Sequence, residues 1–122
     1  MLNVVLSRMW RATINSRNGF VAALRSEQAF REECIALCLA VPLAFWIAVS
    51  ATRAWQMIAV VALLLVVELL NTAIEKLADR LTREHDPQIG MVKDMGSAAV
   101  AVMLVIAGVT WLVAIAERMG VI

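Results

Sequence analysis

The sequence predicts an all-α membrane protein: an N-terminal amphipathic surface segment followed by three transmembrane helices, in a single domain spanning residues 1–122. Three observations predict it. The 122 residues are 62% hydrophobic with a mean hydropathy of +0.82, too apolar for a soluble domain of this length. Charge-free runs recur along the chain, Cys34 to Val49, Ala54 to Val67 and Met95 to Ala116. The charged residues gather at the ends of those runs.

Residues 1–25 place Leu2, Val5, Leu6, Met9, Trp10, Ile14, Phe20, Val21 and Leu24 at three- and four-residue steps, with Arg8, Arg11, Arg17 and Arg25 between them. Such a segment lies in the membrane interface, its arginines among headgroups and its apolar side chains in the acyl layer. Asn15-Ser16-Arg17-Asn18-Gly19 predicts a break into two pieces. No long apolar core marks a cleavable signal peptide here. Ser26 predicts the N-cap of the next helix, with Glu27 and Gln28 in its first turn. That helix runs toward Val49 around Pro42. Adding Ser50, Ala51 and Thr52 gives a first span over 34–52, long enough to cross about 30 Å of hydrocarbon. Arg53 predicts a very short turn. A second span over 54–70 continues as a polar helix to about residue 82. Glu84-His85-Asp86-Pro87-Gln88-Ile89-Gly90 reads as a loop. The third span, 95–116, is the clearest.

Three spans put the termini on opposite sides, and lysines and arginines decide which. Arg8, Arg11, Arg17, Arg25, Arg31, Lys76, Arg80, Arg83 and Lys93 fall on one side, against Arg53 and Arg118 on the other. The N-terminus is therefore expected in the cytoplasm. Trp46, Trp55 and Trp111 fall toward the opposite interface and Trp10 toward the cytoplasmic one, as aromatic belts do. The net charge of +1 says nothing about nucleic acid, no basic run suggests it, and no nucleic-acid partner is expected. Cys34 and Cys38, four residues apart on one helix, suit packing better than a disulfide or a zinc site.

The chemistry concentrates where the second span turns polar. On one helix, Glu68, Glu75 and Asp79 fall within about 40° of one another, with Asn71 on the shoulder. A carboxylate within an apolar span costs roughly 3 kcal/mol or more, which makes Glu68 a functional candidate. Glu27, Glu32 and Glu33 open the first span at the same level, and Lys93 and Asp94 open the third. Acids hold a hard cation through oxygen, and Lys and Arg hold phosphates, so this collection suits a magnesium-bound polyphosphate. No Gly-rich phosphate loop accompanies it. Plainer readings stand beside this one: Glu68 as a hydrogen-bonding contact between helices, Glu27 as an acid favoured by a helix N-terminus, and Gly96 to Ala99 as a small-residue packing surface. On these residues alone an enzyme, a proton- or cation-coupled transporter subunit, and a subunit of a larger assembly all remain open.

Three blocks carry a resemblance: Ser26-Glu27-Gln28-Ala29-Phe30-Arg31-Glu32-Glu33, Val67-Glu68-Leu69-Leu70-Asn71-Thr72-Ala73-Ile74-Glu75 through Asp79-Arg80, and Lys93-Asp94-Met95-Gly96-Ser97-Ala98-Ala99-Val100. Together they resemble the bacterial integral-membrane diacylglycerol kinases over nearly the whole chain. The resemblance implies a homotrimer in the bacterial inner membrane that transfers the γ-phosphate of Mg²⁺-ATP to diacylglycerol at sites between subunits. It implies Glu68 as general base and Asn71 as the residue orienting it, with Glu27 and Glu75 holding Mg²⁺. Arg8, Asp79, Glu84, Lys93 and Asp94 would line the ATP site with Glu27 and Glu75. Arg8, Phe30, Arg31, Glu33, Trp46, Ser97 and Trp111 would border the lipid around Glu68. The chain departs from the family in two ATP-site positions. Asn15 stands where an aromatic residue is common, and Asp86 stands where the loop histidine is expected, His85 following Glu84 directly. Some relatives act on undecaprenol, so that lipid is the alternative acceptor.

Overall fold

The computed structural model describes residues 1–122 as four helices: α1 Leu2–Ser26, α2 Gln28–Ile47, α3 Ala51–Leu81 and α4 Pro87–Arg118. The central element is α3, which packs against α2 on one side and α4 on the other. At 1.5 Å per residue, α3 and α4 are about 46 and 48 Å long, well beyond the roughly 30 Å of a bilayer core. Both are long and apolar enough to cross a membrane. Their surplus length carries the polar halves of the sequence: the C-terminal turns of α3 and the first two turns of α4.

The five-residue connection between them makes an antiparallel hairpin, and an ion pair closes it near each end. Next to the loop, Lys93 Nζ lies 2.5 Å from Asp79 Oδ1. At the far end, Arg53 donates from Nε to Glu117 Oε2 at 2.8 Å and from Nη2 to Glu117 Oε1 at 2.5 Å. The Arg53 fork holds Glu117 below the usual carboxylate range, chiefly through the hydrogen bond.

Small residues let the helices approach closely. Ala40, Ala44, Ala54, Ala78, Ala107 and Ala114 are all buried. The core forms two small clusters. Near the loop end Phe30 and Leu65 pack with Ala23, and Phe20 meets Phe30 edge-on at 5.0 Å. At the far end Ala44, Met57 and Ala114 pack together, flanked by Trp111. Cys34 is a free thiol packed against the Phe30 cluster.

Several boundaries differ from the sequence reading, each for a local reason. Asn15 to Gly19 do not break α1, which runs unbroken to Ser26. Residues 15–19 are exposed, and good helix formers on either side, Met9, Arg11 and Ala12 before them and Ala22, Ala23 and Leu24 after, carry the helix through the turn-forming residues. Ser26 is not an N-cap. Its hydroxyl donates back to the Ala22 carbonyl at 2.8 Å, and Glu27, in an extended conformation, is the residue between α1 and α2. The helix of the first span stops at Ile47, not at residue 52. Ser50 caps the next helix by accepting from the Arg53 N–H at 3.1 Å, so Ala51, Thr52 and Arg53 belong to α3 and Arg53 is not a turn. The loop after α3 is shorter than expected. Asp86 accepts from the N–H groups of Gln88 and Ile89, and Pro87 is the first residue of α4. Asp-Pro here is a cap followed by an N1 proline, not an interior turn.

Candidate active site

The apolar-to-polar change along α3 is continuous, with no break between Ala51 and Leu81. One helix therefore positions Glu68, Asn71, Glu75 and Asp79 together. Glu68, Glu75 and Asp79 are half-buried on one face. Asn71 turns inward and is 8% exposed. Its amide oxygen is buried without a hydrogen-bond partner and rests against Gly96 of α4. A Cβ at Gly96 would collide with that oxygen. Gly96 thus makes the space that Asn71 occupies, a role beyond general close packing.

Glu75 follows Glu68 two turns along α3, while Glu27 is the N-cap residue of α2 and Glu33 lies in that helix's first turns. One oxygen of Glu33 is buried without a partner. Phe30, on the same helix, is completely buried and lines an all-apolar cavity of about 220 Å³ with Leu37, Ala62, Leu65 and Leu69. No acid lines that cavity, but Glu68 stands in the chain between Val66 and Leu69, which do.

Below them lies a polar surface. Lys76, Asp79, Arg80, Thr82 and Arg83 line a cleft of about 460 Å³. Thr82, Arg83, Glu84, His85, Asp86 and Lys93 line most of a second, of about 330 Å³. Lys93 holds the Asp79 carboxyl below the usual range, mainly by its hydrogen bond, with help from the charges of Arg83 and Lys76.

The residues singled out from the sequence do not all converge. Glu27, Glu33, Glu68, Asn71 and Glu75 gather at the upper level, and Asp79, Glu84, Asp86 and Lys93 at the lower. Arg8 lines a shallow depression made by α1 alone, with Val5, Met9 and Ala12. Asn15, Asp94 and Ser97 are exposed. Arg31 turns back to α1, donating to the carbonyls of Leu24 and Arg25 at 3.0 and 3.3 Å, where a cation satisfies a helix C-terminus. Trp46 and Trp111 belong to the far end, and Trp111 donates to the Met57 carbonyl at 3.1 Å. Met57 precedes Glu68 by eleven residues, about 16 Å of helix.

Sequence reasoning missed Lys76 as a member of the site. Its Nζ lies 2.9 Å from Glu27 Oε1. The signal was its place beside Glu75, but the pairing joins residues 49 positions apart and no local pattern reveals it.

No group of three histidine, cysteine or acidic side chains in the chain is arranged to chelate a metal. Glu27 and Glu75 still fit Mg²⁺, which takes one or two carboxylates and completes its shell with water and substrate phosphates. The donors are hard oxygens, and Glu27 already faces a cationic group.

The membrane-capable hairpin thus carries a half-buried acid row above one largely basic cleft and one of mixed charge. The comparisons fix the class: a family model described as prokaryotic diacylglycerol kinase matches residues 14–115, and the chain belongs to that family. It is similar to the diacylglycerol kinase of Escherichia coli K12, 40% identical over 114 residues that cover 93% of each chain. It is 46% identical over 106 residues to that of Pseudomonas aeruginosa, covering 87% of this chain and 86% of the relative. It is also 29% identical over 101 residues to the undecaprenol kinase of Bacillus subtilis, covering 83% and 82%. The chain is accordingly a kinase, and the transporter reading falls.

Proposed function

We propose that this protein phosphorylates the primary hydroxyl of diacylglycerol with ATP, giving phosphatidate, with Glu68 as the general base. The observation that carries the reading is the place of Glu68 on α3, between Val66 and Leu69 of the apolar cavity and on one face with Glu75 and Asp79. A lipid alcohol enters with its chains in apolar surroundings and its hydroxyl at the carboxylate. Phosphoryl transfer asks the protein mainly for positioning and charge neutralisation. Glu68 accepts the hydroxyl proton as the oxygen attacks the γ-phosphorus and the bond from that phosphorus to the β,γ-bridging oxygen breaks, releasing ADP. Asn71, one turn away with a free amide oxygen, orients the base and the acceptor. Glu27 and Glu75 hold Mg²⁺, which neutralises the phosphate oxygens when bound. Asp79 and Lys93, joined as a pair, line the nucleotide side with Glu84, Asp86 and Asp94, and Arg8 and Asn15 close it from the surface helix. The lipid runs from Glu68 past Glu33, Phe30, Arg31 and Ser97 toward Trp46 and Trp111, whose distance along the bundle suits an acyl chain.

In this reading α2 is the third span: the apolar part from Cys34 to Ile47 makes about 21 Å of helix, and the charged first turns lie in the cytoplasmic interface. The bulk of lysine and arginine places the N-terminus and the acid row on the cytoplasmic side of a bacterial inner membrane. Three copies assemble with the sites between them.

The test is transfer of labelled γ-phosphate in mixed micelles containing diacylglycerol or undecaprenol. Labelled phosphatidate at a much higher rate than labelled undecaprenyl phosphate is expected. The opposite preference would keep the site and change the acceptor, a reading favoured by the Bacillus subtilis relative.

A further inference from the structure

Lys76 follows Glu75 on α3 and reaches Glu27, the extended residue between α1 and α2. The pair joins the α1–α2 corner to α3. Both side chains keep solvent access, 53% for the lysine and 31% for the glutamate, and a pair so exposed adds little to stability. Lys76 also lines the 460 Å³ cleft with Asp79, Arg80, Thr82 and Arg83. Asp79 is already matched by Lys93, so the other charges of that cleft are all positive. One flexible side chain therefore stands between a carboxylate face and a cleft suited to phosphate oxygens.

We propose that Lys76 is a positioning residue that acts as a placeholder cation: it occupies Glu27 in the resting site, yields it to the divalent cation, and turns to the nucleotide phosphates in the adjoining cleft. The inference rests on the reading of Glu27 as a metal ligand. Lys76, next to Glu75 in the chain and paired with Glu27, sets a positive charge among these acids. A divalent ion carries twice its charge and displaces it. The four-carbon stem and freely rotating donors of lysine permit the transfer without backbone movement. Phosphate oxygens in the cleft give the released ammonium a new partner. Metal and nucleotide therefore favour each other's binding through Lys76.

The experiment measures Mn²⁺ binding to the full chain in detergent without nucleotide, from the electron paramagnetic resonance signal of free Mn²⁺. Lys76→Met is expected to bind Mn²⁺ roughly fivefold tighter than wild type, because no ion pair has to be broken. Lys76→Arg keeps the competitor and stays near wild type. Glu27→Gln added to Lys76→Met abolishes the gain. A purely structural tie would lower the melting temperature of Lys76→Met without tightening metal. If Lys76→Met binds no tighter while Glu27→Gln weakens binding, the placeholder role is overturned and the ligand role of Glu27 survives. Unchanged Mn²⁺ binding on Glu27→Gln in both backgrounds overturns the ligand reading and this inference with it.

Discussion

Asn71 and Gly96 form the tightest point of the site. The amide oxygen is buried, unpartnered and pressed against a position that has no room for a side chain. A buried polar atom without a partner costs free energy, and such a cost is kept where the atom serves a ligand or a reaction. Gly96→Ala forces the amide or α4 to move, an overpacking penalty of about 1–3 kcal/mol. Transfer is expected to fall by about tenfold or more, because small displacements of a positioning group cost that much. Asn71→Ala removes the colliding oxygen, so adding it to Gly96→Ala should restore part of the stability but none of the activity. Strict additivity of the two melting-temperature changes would show that the residues do not touch in the way described.

At the level of elements, the α3–α4 hairpin is held at both ends by charge. The Asp79 carboxyl sits below its ordinary range because of Lys93, so the pair's contribution is complete above the unfolded aspartate value and lost as pH falls through the depressed folded one. The coupling between Asp79→Asn and Lys93→Met, read as melting temperature in a double-mutant cycle, should be flat from neutral pH to about 5 and fade only below about 4. Fading between pH 6 and 7 would place the dependence on another group. At the other end, Arg53→Met should lower the melting temperature by a few degrees with its largest effect far from the acids. Its transfer rate at a temperature where both proteins are folded should match wild type.

Much of this architecture was legible in the chain. The helical character followed from apolar run lengths, and the common face of Glu68, Glu75 and Asp79 followed from spacing on an unbroken helix. Boundaries were less legible, because hydropathy does not distinguish a residue inside a span from one that caps it. Ser50 and Asp86 both cap helices by accepting backbone N–H groups, which shifted the ends of α2, α3 and α4. Asn15 to Gly19 look like a turn locally, yet α1 runs through them, carried by good helix formers on both sides. Lys76 to Glu27 and Arg53 to Glu117 are contacts between distant residues, invisible to any periodic pattern.

On the scale of the molecule, the chain buries very little of itself. Only 15 of 122 residues are buried, and Phe30 and Met57 are the only large side chains fully enclosed. Leu39, Phe45, Trp46, Trp55, Val105 and Leu112 are among many large apolar residues left on the outside. An apolar surface of this extent needs lipid or another protein to cover it. The proposed trimer in a bilayer supplies both, and scattering-derived mass in detergent, corrected for bound detergent, should give three copies. A monomeric active enzyme would contradict a site shared between subunits.

The central claim is that Glu68 takes the proton from the lipid hydroxyl. Its most direct test is the rate of γ-phosphate transfer to diacylglycerol by wild type and Glu68→Gln, with helical content and melting temperature checked on the same samples. Glutamine keeps the shape and removes the base, so the rate should drop roughly 100- to 10,000-fold with the fold intact. A folded Glu68→Gln protein that transfers phosphate within a few-fold of wild type would contradict the account.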